Sequence, residues 1–76
     1  MKSHIKIEVR AGSPAESVIK SPSGRLVIRV REQAERNQAN KRALEIIRGL
    51  YPGCQARIES GHHAPRKTIS LEKAGE

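Results

Sequence analysis

Four side chains in the sequence have the chemistry to bind a soft metal ion: His4, Cys54 and the adjacent pair His62 and His63. Zinc sites usually take their ligands from spaced pairs such as Cys-x-x-Cys or His-x-x-x-His, which place two ligands on one side of the ion. Two adjacent histidines in a polar turn do not have that spacing. The sequence therefore predicts no metal site and no bound cofactor.

The carboxylates give no indication of acid–base catalysis. All eight acidic residues are glutamates, and they occur singly along the chain. The sequence also lacks the Gly-x-Ser-x-Gly turn of serine hydrolases and the glycine-rich loop that binds nucleotide phosphates. We therefore assign no catalytic residue and expect that the protein is not an enzyme.

The basic residues are more informative. Fifteen Lys and Arg against eight Glu give a formal net charge of +7, and such an excess attracts polyanions, of which nucleic acid is the commonest. Several of these cations alternate with apolar residues, which would place them on one face of a sheet. The predicted polyanion-binding residues are Lys6, Arg10, Arg25, Arg29 and Arg31, with contributions from Arg66 and Lys67.

Binding of this kind would involve phosphates more than bases. Tyr51 is the only aromatic residue, so the chain lacks the aromatic platform on which single-stranded RNA stacks in RRM and OB folds. A Gly-x-x-Gly clamp of the KH type is also absent from the sequence. The leading hypothesis is therefore a protein that binds RNA, more than DNA, or another polyanion with little sequence specificity.

Three other interpretations stay open from the sequence. Excess Lys and Arg also keep small domains soluble. A protein-interaction module could dock an acidic or hydrophobic partner, for example through an unpaired sheet edge. An enzyme acting on a phosphorylated small molecule at a helix start would require Asn40, Gly61 and Lys67 to lie together.

Length and composition limit the architecture. With 76 residues the chain has room for one domain, residues 1–76. Cys54 is the only cysteine, so no intramolecular disulfide can form and a reducing, cytoplasmic location is expected. No stretch approaches the ~20 apolar residues of a membrane-spanning helix. We expect a monomer that does not associate with membranes.

Alternating apolar residues predict four strands. Positions 4–10 and 25–31 alternate with a period of two, and shorter alternations at positions 56–59 and 69–71 predict the third and fourth strands. The connection at positions 11–24 is rich in Gly, Ser and Pro, and its apolar pair Val18 and Ile19 could form an edge strand or clamp the loop. The tail from Lys73 is expected to fray.

One amphipathic helix is predicted between the second and third strands. Asn37 is a candidate N-cap, and the pair Pro52 and Gly53, with Gly49, is expected to end the helix. The order β-β-α-β-β predicts an α+β two-layer sandwich in which the helix covers one face of a four-stranded sheet. At 100° per residue the apolar helix face comprises Ala39, Ala43, Ile46, Ile47 and Leu50.

Asn40 falls at the edge of this apolar face, where a side-chain amide needs hydrogen-bond partners. We expect it either to pin the preceding loop to the helix start or to contact a ligand. The helix start also offers free N–H groups to an anion if Arg36, Arg66 or Lys67 folds nearby. Sequence distance alone does not show whether these residues meet.

Three stretches together carry a family resemblance. They are the opening strand, the run Gln38-Ala39-Asn40-Lys41 at the helix start, and Ser60-Gly61 followed by Arg66-Lys67. With them the chain resembles, over nearly its whole length, the YggU-like family (domain of unknown function 167, uncharacterised protein family 0235). That family has a Gly-Lys-Ala-Asn run entering its helix and a Ser-Gly turn leading to a Lys, and Asn37 stands here in place of its glycine. The resemblance implies an α+β fold but no activity, and it marks five positions of unknown role: Ala39, Asn40, Ser60, Gly61 and Lys67.

Overall fold

The computed structural model describes residues 2–73, which form five strands and one helix. The α+β class predicted from the sequence is confirmed. The helix, α1, lies between the third and fourth strands along the chain. In chain order the elements are β1 (Lys2–Arg10), β2 (Ser17–Lys20), β3 (Leu26–Arg29), α1 (Gln38–Leu50), β4 (Cys54–Ser60) and β5 (Arg66–Lys73).

The five strands form one mixed sheet in the order β2-β3-β1-β5-β4. β1 and β3 are parallel, with Ile7 opposite Leu26, whereas the other neighbouring pairs are antiparallel. β1 is therefore the central strand. Its successive side chains point to opposite sides of the sheet, so they define which residues face the helix and which face away from it.

The prediction of four strands is wrong, because residues 17–20 form a strand of their own. Val18 and Ile19 lie in β2, which pairs with β3 through Val18 opposite Ile28 and Ile19 opposite Val27. Of the two roles considered for this apolar pair, the edge strand is confirmed. The observed order is β-β-β-α-β-β, and the additional strand, β2, extends the sheet beyond β3.

The helix packs on one face of the sheet and encloses a small aliphatic core. Ala39, Ala43 and Ile47 are buried on its inner side, as the helical spacing predicted. Leu50 was predicted on the same face but is 49 % exposed, because it is the last helical residue and no described element covers it. The strands contribute Ile7, Val9, Ile28, Ala56, Ile69 and Leu71 to the core, and Val30, directly after β3, is also part of it.

β3 is shorter than the predicted strand at positions 25–31. Beyond Arg29 the chain bonds to the loop after β1, where the Ser13 N–H donates to the Val30 carbonyl at 2.9 Å. Val30 is nevertheless fully buried. The alternation of burial thus continues for one residue after the ladder of β3 has ended.

The ends of the helix and of the sheet also differ in detail from expectation. Gly49 does not end the helix, which continues to Leu50 before the turn at Pro52 and Gly53. Lys73, expected to fray, is the last residue of β5 and lies opposite Cys54. The remainder of the predicted frayed tail lies outside the described residues.

Candidate nucleic-acid interface

The face of the sheet away from the helix carries most of the basic residues predicted to bind a polyanion. On β1, Ile7 and Val9 are buried on the helix side, so the alternate residues from Lys2 to Arg10 point away from the helix. Residues in register on neighbouring strands point to the same side. We call this surface the open basic face, and its Lys and Arg residues are Lys2, Lys6, Arg10, Arg29, Arg57 and Arg66.

Two glutamates on this face are ion-paired. Glu8 accepts a hydrogen bond from Arg10 Nε at 2.9 Å and lies 3.7 Å from Arg66 Nε. The hydrogen bond from Arg10, helped by nearby positive charge, lowers the pKa of the Glu8 carboxyl. Glu59 lies 3.1 Å from Lys2 Nζ, and this contact lowers its pKa in the same way. Both carboxylates are ionised at neutral pH and offset part of the positive charge.

Three cations on the open basic face have no carboxylate partner. Among residues 2–73, no ion pair involves Lys6, Arg29 or Arg57. They lie on β1, β3 and β4 respectively, and they form a diagonal row, because Arg29 is level with Arg10 whereas Arg57 is level with His4 through Ser70. The row crosses three strand spacings, about 14 Å, and runs about 20 Å along the strands. Because no carboxylate neutralises them, these three side chains are the strongest candidates for contacts with phosphate.

Arg57 and Lys2 were not among the predicted residues. Arg57 alternates with Ala56 and Ile58, so the outward direction of its side chain could be read from the sequence. Its membership of the open basic face depends on β4 pairing with β5, which sets Arg57 opposite Ser70. Strand order was not available from the pattern, and therefore this residue was missed.

Arg25 lies at the margin of the open basic face. It precedes β3, and its Nη1 donates a hydrogen bond to the Ile7 carbonyl at 3.3 Å. Its charge also contributes to the lowered pKa of Glu8 on the neighbouring strand. Arg25 is therefore close to the predicted surface, although one of its donors is already used.

Arg31 is separated from the other arginines predicted to bind a polyanion. It follows the end of β3 and lines a shallow pocket with Glu16, Glu32 and Arg42. Arg42 belongs to the helix and bonds Glu16 through Nε at 2.7 Å. The arrangement places Arg31 beside a mixed-charge cluster next to the helix, so it does not continue the row that contains Arg29.

Lys67 is not part of the open basic face. It lies opposite Ile7 on the helix side of the sheet and is only 5 % exposed. Its ammonium donates to the carbonyls of Gly61 at 2.8 Å, His62 at 3.2 Å and Ala64. Burial lowers the pKa of Lys67, whereas the three carbonyls favour the charged form. All three N–H donors are thus occupied, and none is left for a phosphate.

The motif residues Asn40, Gly61 and Lys67 do lie together. Asn40 Nδ2 donates to Asn37 Oδ1 at 2.8 Å, as expected for a contact with the preceding loop, and also to the His62 carbonyl at 3.0 Å. Gly61 has a φ of 80°, and a Cβ at this position would overlap the backbone of β5. The three residues therefore join the helix start to the turn at positions 61–65.

A pocket of about 670 Å³ opens beside this junction. Arg36 and Asn37 form one wall, and both have positive φ, at 51° and 62°. Asn37 occupies the predicted N-cap position but makes no side-chain cap hydrogen bond. Of the three cations considered for an anion at the helix start, only Arg36 is in place, because Lys67 has no donor left and Arg66 lies on the open basic face.

The remaining motif and metal candidates have ordinary surroundings. Ala39 is buried beneath the helix, and Ser60 is exposed at the end of β4, where the register with β5 shifts. His62 and His63 are exposed in the turn, and Cys54 is a free, half-buried thiol. Within residues 2–73 no group of three or more His, Cys, Asp or Glu is placed to hold a metal ion.

In the part of the chain that the structure describes, no helix is both long and apolar enough to cross a bilayer.

Comparison with known proteins adds no assignment. The chain matches no protein-family model, no curated protein and no solved structure. The resemblance to the YggU-like family therefore stays a prediction.

Proposed function

We propose that the protein binds the phosphate backbone of nucleic acid, with RNA as the preferred partner, across the open basic face. The observation that carries this proposal is the row of Lys6, Arg29 and Arg57. These three cations lie on one uncovered side of the sheet and have no carboxylate partner among residues 2–73. Lys and Arg in this setting contact phosphate oxygens.

The open basic face offers partners to phosphates and little to bases. Its apolar side chains are Ile19 and Val27, at the β2 and β3 end, and neither is aromatic. Tyr51 packs against the core after the helix, on the other side of the sheet. Binding should therefore depend weakly on sequence. It should favour duplexes, because a duplex carries twice the phosphate charge per unit length of a single strand.

The proposal is tested by charge reversal at two exposed positions of the face. Fluorescence anisotropy would follow binding of a labelled RNA duplex to the wild-type protein and to the double variant Lys6→Glu/Arg57→Glu at low salt. Both substitutions replace a cation that meets phosphate with a carboxylate that repels it. We expect the dissociation constant to rise at least about tenfold.

A matched control separates a defined face from overall charge. The double variant Lys41→Glu/Arg48→Glu makes the same change in net charge on the exposed side of the helix. It should keep most of the wild-type affinity, and all proteins should show the same thermal melt. Equal losses in both variants would mean that net charge alone drives binding. No binding by the wild-type protein at low salt would leave the cations as solubility determinants.

A further inference from the structure

Half of the central strand has no neighbour on one side. β1 spans nine residues, but β3 pairs only with Ile7–Arg10, so the part of β1 from Lys2 to Lys6 has no strand beside it within the described residues. On this side the Val30 N–H donates to the Arg10 carbonyl at 3.1 Å. Backbone groups alternate in direction along a strand, so the N–H and carbonyl of His4 face the same side as those of Arg10. They are available to another strand.

A cleft of about 560 Å³ lies along this unpaired edge. Its far wall is the turn between β2 and β3, which is closed by a hydrogen bond from the Gly24 N–H to the Ser21 carbonyl at 2.9 Å. The edge from Lys2 to Lys6 is about 13 Å long, enough to pair with a short extended segment. We call this space the edge cleft.

The two sides of the edge cleft differ in chemistry. On the helix side its walls are Ile5, Leu26 and Tyr51, all of which are half-buried and pack against the core. A strand added to β1 would point every second side chain towards these residues. Those positions of a bound segment would therefore be apolar.

On the other side, the edge cleft is bordered by His4, Lys6 and Arg25, whereas Lys20, opposite Leu26, lies at the rim on the helix side. No Asp or Glu lines the cleft. The side chains of a bound strand that point to this side would meet the charges of Lys6 and Arg25. Those positions would therefore carry carboxylates.

We infer that the edge cleft binds an extended segment of a partner protein in which apolar residues alternate with Asp or Glu. The segment adds a strand to β1 through backbone hydrogen bonds, and the alternation matches the apolar and cationic sides of the cleft. This binding site differs from the open basic face in that it recognises backbone direction and residue order. Net charge alone does not satisfy it.

The test uses labelled six-residue peptides and the full-length wild-type protein. One peptide alternates valine with glutamate, and a second has three valines followed by three glutamates. Composition and charge are identical, but only the first presents apolar and acidic side chains to opposite sides when extended. In fluorescence anisotropy we expect the alternating peptide to bind at least about tenfold more tightly. Equal affinities would overturn the inference, because the peptides would then be held by charge alone.

Backbone pairing is tested by methylating amide nitrogens of the alternating peptide. In a bound strand the N–H groups of one residue type face β1 and those of the other face solvent. Of two peptides, one methylated on every valine and one on every glutamate, one should therefore lose binding and the other should keep it. Retention of binding by both would exclude strand addition.

Variants of the protein locate the site. Tyr51→Ala removes the aromatic wall of the edge cleft, whereas Leu50→Ala removes a neighbouring, more exposed apolar side chain that does not line it. The first variant should weaken the alternating peptide about fivefold or more, and the second should leave its affinity unchanged. If both variants bind like the wild-type protein, the peptide is bound elsewhere.

Discussion

Replacing the buried Lys67 by methionine should destabilise the protein while leaving nucleic-acid binding intact. The ammonium donates to the carbonyls of Gly61, His62 and Ala64 and so holds the 61–65 turn against the sheet. Methionine has a similar length but no donor. The three carbonyls would then lose their hydrogen-bond donor. The hydrogen bond by which Asn40, at the helix start, holds the His62 carbonyl of the turn would also weaken.

The expected loss of folding stability in Lys67→Met follows from two opposing contributions. Hydrogen bonds from a charged donor are worth roughly 1.5–3 kcal/mol each, but the buried ammonium has lost its hydration, which costs several kcal/mol. The turn is exposed, so water can replace part of what the carbonyls lose. A net loss of about 2–3 kcal/mol results, from a total stability of about 4–11 kcal/mol for a chain of this length.

Urea unfolding followed by circular dichroism at the helix band measures this loss. With an m-value of about 1 kcal/mol per molar urea, the midpoint should fall by roughly 2–3 M. The control is Lys6→Met, at an exposed lysine, for which the stability should change by less than about 0.5 kcal/mol. A Lys67→Met midpoint equal to that of wild type would refute the structural role. Loss of RNA affinity in folded Lys67→Met would show that this lysine contacts the ligand after all.

Two further predictions concern backbone and charge. Gly61→Ala should lower the free energy of unfolding in urea by about 2–4 kcal/mol, because this position combines a positive φ with overlap of the new Cβ against β5. Gly24→Ala, where φ is also positive but the space is open, should lower it by about 1 kcal/mol. Equal losses in the two variants would contradict the overlap. The pKa values of Glu8 and Glu59 are lowered in the folded protein below the ordinary 4.5. The two ionised carboxylates therefore stabilise the fold above pH 4.5, and this stabilisation is lost as the pH falls through the lowered pKa values. The melting temperature should therefore drop between about pH 5 and pH 3, and a drop that is unchanged in a Glu8→Gln/Glu59→Gln variant would contradict this origin.

The periodicity of the sequence predicted most of the apolar residues that the strands and the helix bury, but it did not predict how the strands are ordered. Ile7, Ile28 and Ile69 each lie in a stretch where apolar and polar residues alternate, and Ala43 and Ile47 are spaced four residues apart as on one face of a helix. Their burial therefore follows from the local sequence pattern. The pairing of β1 with both β3 and β5 depends on contacts distant in sequence. Periodicity contains no information on such contacts, and the composition of the open basic face was therefore only partly predicted.

β2 and Lys67 show two further limits of pattern reading. β2 has only four residues, with two apolar side chains in a loop rich in Gly, Ser and Pro, so its pairing with β3 decides its conformation more than its own sequence does. Lys67 stands between polar neighbours and appears in sequence as one more surface cation. Its burial depends on three turn carbonyls that only the folded chain brings together.

The salt dependence of duplex binding tests the central claim most directly. The association constant K for a short nucleic-acid duplex would be measured at salt concentrations between about 50 and 200 mM, for the wild-type protein and for Lys6→Glu/Arg57→Glu. Log K is then plotted against the logarithm of the salt concentration. With phosphate contacts from Lys6, Arg29 and Arg57, a slope near −3 is predicted, at about −0.9 per contact for B-form DNA, and the variant slope should be shallower by about two. A wild-type slope near zero, or a slope that the substitutions leave unchanged, would contradict binding through the open basic face.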